Sequence, residues 1–166
     1  MDMTRTGMRT VFAIAALGVL AISQLSSYLV TAWLPVNDSY TVTSFLSFTH
    51  IRNSGGIFGS FQGTSTLFAL TGGAFVAGLA WYVLTSKTLE PYQYVCFGFI
   101  AGAAASNVCD RLVYGAVVDF IDVRGIPYWG YIFNVADTAI HLGVWPMVIG
   151  ALAPRRGGPS GPPSPS

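Results

Sequence analysis

The sequence is short of charge. Asp, Glu, Lys and Arg make up 9% of its 166 residues, against about 25% in a soluble domain. Hydrophobic residues make up 52% and the mean hydropathy is +0.57, so the deficit points to a membrane. The net charge is +1 and no basic run occurs, which argues against a nucleic-acid partner. Cysteine is scarce as well: Cys96 and Cys109 fall in one apolar segment. On a helix they stand roughly 20 Å apart, far beyond the roughly 7 Å between Cα atoms that a disulfide tolerates, and they read as packing residues. Several catalytic signatures are absent too. The chain has no HExxH for zinc, no GxSxG, no P-loop and no GxGxxG opening a helix.

What is present is apolar runs of membrane-crossing length. Val11–Trp33, Leu67–Leu84, Tyr92–Val108 and Ile132–Leu152 are each consistent with crossing a hydrocarbon core of roughly 30 Å. Arg9, the apolar Val11–Ile22 and the small residues that follow also resemble a cleavable secretory signal, but apolar character resumes through Tyr28–Trp33. Residues 36–63 carry the strand-like stretch Tyr40–Phe48 and turn-forming Gly55, Gly56, Gly59 and Gly63. They are expected to form a small sheet on the membrane surface. Residues 109–131 read as a polar loop. The tail from Pro154 is too rich in Pro, Gly and Ser to fold. The expected fold class is therefore a mainly α membrane protein: four transmembrane helices with a small extracytoplasmic β-sheet between helices 1 and 2. The expected domains are a cytoplasmic N-terminus (1–10), a single membrane domain (11–153) and a disordered cytoplasmic tail (154–166). Four spans put Arg5, Arg9, Lys87, Arg155 and Arg156 on one side, which the positive-inside rule makes the cytoplasm.

The scarce charge is concentrated. Four of the seven acidic residues lie between Asp110 and Asp137, beside Arg111 and Arg124. Asn107, Asp110 and Arg111 share one face at the outer end of the third span. Asp110, next to Arg111, reads as an ion-paired anchor and not as a proton carrier. Asp119 sits in a β-branched and aromatic run, where burial raises a carboxylate's pKa. Asp122 is nearer Arg124 and reads as a surface charge. Asn134, Asp137 and His141 fall on one helical stripe. Asp137, about a turn inside an apolar span, should face the bundle, or else cap the helix. His141 reads as a packing residue.

Two aspartates in a half-dry site have a specific use. Full charges about 4 Å apart repel by roughly 4 kcal/mol at an effective dielectric near 20, so one carboxyl keeps a proton while the other stays ionised. The ionised group can take a proton from water and the protonated one can donate to a scissile carbonyl. Neither a covalent intermediate nor a metal or other cofactor is required.

At these residues the chain resembles the bacterial lipoprotein signal peptidases, the type II signal peptidases. NSGGIFG (53–59) looks like that family's asparagine-glycine-phenylalanine block. NVCDR (107–111), GAVVDF (115–120) and FNVAD (133–137) match its Asn-x-x-Asp-Arg, Val-Val-Asp-Phe and Phe-Asn-x-Ala-Asp blocks. The resemblance covers roughly residues 10–152. It implies that Asp119 and Asp137 are the catalytic pair, that Asn53, Asn107, Arg111 and Asn134 hold substrate or shape the site, and that Asp110 is structural. It implies an inner-membrane endopeptidase, expected to be a monomer in contact with lipid. Its substrate would be a prolipoprotein whose cysteine bears diacylglycerol, cut just before that cysteine. Two departures stand out. The family's Asp-Gln-x-x-Lys block in the first span is Ser23, Gln24, Leu25, Ser26 and Ser27 here, so both charges are gone. Gly56 and Ile57 stand where two alanines are common. They leave open a catalytically weak paralogue that binds lipidated signal peptides as a regulator or resistance decoy. A proton or ion channel using Asp137 and His141 would need a polar path that the second and third spans do not offer.

Overall fold

The computed structural model describes residues 4–56, 60–127 and 130–153. Among these the chain forms four helices and one sheet. The order is α1 (Arg5–Trp33), β1 (Ser39–Thr41), β2 (Leu46–Asn53), α2 (Ser65–Thr85), α3 (Pro91–Tyr114), β3 (Val117–Val123), β4 (Ile132–Phe133) and α4 (Val135–Leu152). The expected disordered tail from Pro154, and Ile57, Phe58 and Gly59 of the glycine-rich block, lie outside the described residues.

The helix ends follow from local chemistry, and they correct several expected boundaries. Thr4 caps α1, its hydroxyl accepting from the Gly7 amide at 3.4 Å, so the helix begins at Arg5 and not at Val11. Glu90 and Gln93 form a reciprocal capping box at the start of α3, with Pro91 in its first turn. At its other end Gly115, at φ +72°, lets its amide reach the Arg111 carbonyl. The helix therefore continues to Tyr114 through residues expected to be loop. Asn134 caps α4, which begins at Val135 and not at Ile132.

α1, α2 and α4 are each long and apolar enough to cross a membrane. Large apolar side chains such as Leu17, Leu29, Leu70, Trp81, Trp145 and Ile149 are exposed along them. Surfaces of that kind call for an apolar surround. α3 is of comparable length, 24 residues, but it is the most polar of the four. Its position explains this, because it packs against all three others and its polar face meets protein. Contact with α1 is very close. A side-chain carbon at Gly102 would meet the carbonyl oxygen of Ala16, and one at Gly98 would come within 2.8 Å of the Phe12 carbonyl oxygen, so neither position tolerates one.

The sheet is antiparallel throughout, in the order β1-β2-β3-β4. It is not confined to the connection between α1 and α2, as expected. Val117–Val123 joins as a third strand, its run of valine, isoleucine and phenylalanine outweighing the two aspartates within it. Ile132–Phe133 adds a short fourth, paired with Ile121 and Asp122. Val118 and Phe120 of β3 pack with Val30 of α1, which docks the sheet on the helices and sets its height.

Candidate active site

Asp119 is delivered by strand register. It lies opposite Ile51 of β2. Asn53, two residues further along β2, presents its side chain on the same face. From that diagonal position Asn53 Nδ2 donates to Asp119 Oδ2 at 3.2 Å. Asp137 is delivered by helix capping. The Asn134 side chain accepts from the Asp137 amide at 3.0 Å, and Asp137 Oδ2 accepts from the Asn134 amide at 3.1 Å. Asp137 is therefore both a cap and a member of the site. Asn134 also joins the two acids: its Nδ2 donates to Asp119 Oδ1 at 2.8 Å while its Oδ1 holds the start of α4.

Both carboxylates line a cavity of about 170 Å³, together with Asn53, Asn107, Arg111 and Tyr131. Five of the six residues expected as catalytic or substrate-binding thus meet there. Asn134, 3% exposed, stands behind the pair. Asn107 Nδ2 reaches Asp137 Oδ1 at 3.4 Å, and Asn134 Nδ2 lies 3.4 Å from Asn107 Oδ1. Arg111 donates to the Asn107 and Gly55 carbonyls at 3.0 and 2.9 Å, with its guanidinium over the Phe68 ring. It thereby ties α3 to the glycine-rich turn beside the acids.

The electrostatics bear on the protonation of Asp119. Burial pushes Asp119 up to about 7, the negative charge of Asp137 adds to this, and the Asn53 and Asn134 amides only partly offset it. Asp119 is thus poised to hold a proton near neutrality. Burial and the two acids likewise push the Tyr131 phenol up, so it remains a hydrogen-bond donor, 3.4 Å from Asp137 Oδ2. Tyr131 is the member that sequence reasoning missed. It lies in an aperiodic Gly, Pro and aromatic stretch, with no pattern to single it out.

Asp110 is placed elsewhere. Among the described residues no ion pair joins it to Arg111, because neighbouring residues on a helix point about 100° apart. Arg111 faces the cavity and Asp110 faces α1. There, 1% exposed, it accepts from Gln24 Nε2 at 2.8 Å, Ser27 Oγ at 3.1 Å and the Val118 amide at 3.0 Å. Asp122 pairs with Arg124 at 2.9 Å on the surface, as expected. His141 is exposed and not packed, its Nδ1 2.8 Å from the Asp137 carbonyl.

A cavity holding one buried and one half-buried carboxylate, between a small sheet and apolar helices, fits a membrane enzyme. Two solved bacterial membrane enzymes share this architecture. One superposes with a TM-score of 0.76 at 29% identity over 85% of this chain and 86% of its own. The other gives 0.76 at 28% identity over 87% and 94%. The signal peptidase II family model matches residues 15–153, and the chain belongs to that family of aspartic proteases. Lipoprotein signal peptidases from Solibacter usitatus and Staphylococcus haemolyticus are 32% and 31% identical to it. They align over 87% and 86% of this chain and 92% and 91% of their own length.

Proposed function

We propose that this chain removes the signal peptide from diacylglyceryl-modified prolipoproteins by an aspartic mechanism, cutting just before the lipidated cysteine. The observation that carries the proposal is the pair Asp119 and Asp137 lining one cavity, bridged by Asn134. At about 30 Å³ per water, about 170 Å³ admits a water and an extended peptide bond. One carboxyl of the pair, protonated at rest, donates to the scissile carbonyl, and the ionised one takes the proton of the attacking water. The resting proton belongs to the coupled pair. Asn53, Asn107 and Arg111 hold the substrate backbone, Asn134 aligns the acids, and Asp110 is structural.

The membrane setting fits this chemistry. α3 crosses with the other three helices, both termini are cytoplasmic, and the sheet and acids lie at the outer surface of the inner membrane. The diacylglycerol stays in the bilayer while the bond reaches the cavity. One membrane domain, 11–153, acts as a monomer. The alternative, a weak binding paralogue, is motivated by the lost charges of the first span. Ser27, at the place of the block's lysine, and the retained Gln24 both give Asp110 hydrogen bonds, which favours the enzyme.

The test is cleavage of a diacylglyceryl-modified prolipoprotein by purified protein in detergent. Wild type should cleave, while Asp119→Asn and Asp137→Asn should not, although both still insert. Equal cleavage by either variant would overturn the mechanism, and binding without cleavage by wild type would select the paralogue.

A further inference from the structure

We propose that Gln24 and Ser27 of α1 are positioning residues for the reaction, acting on Asp119 through Asp110. The inference rests on the reading of Asp119 as a catalytic acid.

The argument starts from the cost of polarity. Ser23, Gln24, Ser26 and Ser27 interrupt an otherwise apolar helix, and polar groups at such depth need partners. Gln24 Nε2 lies within 3.1 Å of the Ser106 carbonyl, the Ser106 hydroxyl and Asp110 Oδ1. The Ser27 hydroxyl donates to Asp110 Oδ2. Both oxygens of a carboxylate on α3 are thus held from α1.

The same carboxylate reaches the sheet. Its Oδ2 accepts from the amide of Val118, the residue immediately before Asp119. Among the described residues β4 pairs with Ile121 and Asp122, away from the Val118 end of β3, where a side-chain oxygen binds the backbone. Gln24 and Ser27 therefore fix the rotamer of Asp110, Asp110 fixes the Val118 amide, and that amide sets where the next side chain enters the cavity. Misplacing a reacting group by about 1 Å can cost 10²-fold in rate. A looser Asp110 should therefore appear in kcat and leave substrate affinity nearly intact.

Ser23 supplies an internal control. It is as buried as Ser27, 2% against 3% exposed, one turn away on the same helix. Yet its hydroxyl has no hydrogen-bond partner among the described residues. A general packing role predicts equal effects at the two serines, whereas a positioning role predicts an effect at Ser27 alone.

The experiment compares Ser27→Ala, Ser27→Thr, Gln24→Met and Ser23→Ala with wild type on a lipidated prolipoprotein, with Asp119→Asn alongside. Ser27→Ala and Gln24→Met should each lower kcat about tenfold with KM within about twofold. Ser27→Thr, which keeps the hydroxyl, should recover most of the rate, and Ser23→Ala should leave it unchanged. Wild-type rates for both Ser27→Ala and Gln24→Met, or equal losses at Ser23 and Ser27, would overturn the proposal. If Gln24→Met fails to insert, the two serine variants decide by themselves. Cleavage by Asp119→Asn at the wild-type rate would instead sink the aspartic reading, so the two failures are told apart.

Discussion

Asp110 and Asp119 are the same side chain in nearly the same degree of burial, 1% and 3% exposed, and they do opposite things. Asp110 accepts from three neutral donors on α1 and β3, which together occupy both its oxygens. Asp119 accepts from two amides and faces a second acid across a cavity. Burial alone therefore does not assign a role to a carboxylate. The number of donors, the nearest like charge and access to an open volume do. Where donors saturate the group it joins two elements. Where they do not, and another acid is close, its protonation state becomes adjustable.

The comparison can be broken most sharply at the acids that face the cavity. Asp119→Asn or Asp137→Asn should lower cleavage by about 10³-fold or more, measured as turnover of a lipidated prolipoprotein. Their effect on stability should differ from that of the anchor. Asp110→Asn puts an NH₂ among donors and should destabilise the protein by about 1–3 kcal/mol, read as a lower Tm in detergent. Asp119→Asn also turns an NH₂ toward one amide donor. With fewer donors to oppose it and an unfavourably buried charge removed, at pH 8 it should destabilise the protein less than Asp110→Asn does.

A third outcome concerns pH. The folded pKa of Asp119, about 7, lies above the ordinary 3.8, so the native state binds more protons between those values. Stability linked to this group is present below about pH 4 and is lost as pH rises through about 7. Tm should fall over that window in wild type, and the slope should flatten in Asp119→Asn. The smallest effect is expected at the exposed pair. Arg124→Ala should change stability by no more than about 1 kcal/mol and leave turnover unchanged, marking Asp122 as neither anchor nor acid.

Much of this was legible in the chain. The apolar runs gave the helices, and the blocks resembling those of the signal peptidases pointed to five of the residues that line the cavity, because each block is a local signal. The rest was hidden for identifiable reasons. β3 looked like loop because two aspartates interrupt its β-forming run, and only pairing with β2 reveals the strand. The expected Asp110–Arg111 ion pair assumed that sequence neighbours point together, which a helix forbids. Two of the three partners that Asp110 does have lie 83 and 86 residues away on α1, beyond any local pattern. His141 was expected inside and lies outside, since a stripe that starts in the cavity at Asp137 turns outward one turn later.

The double duty of Asn134 has a consequence for quality control. One side chain starts α4 and also holds Asp119, so a copy in which that helix has not begun correctly lacks the bridge between the two acids. Under the aspartic reading, an incompletely assembled copy in the bilayer would be silent instead of an indiscriminate protease.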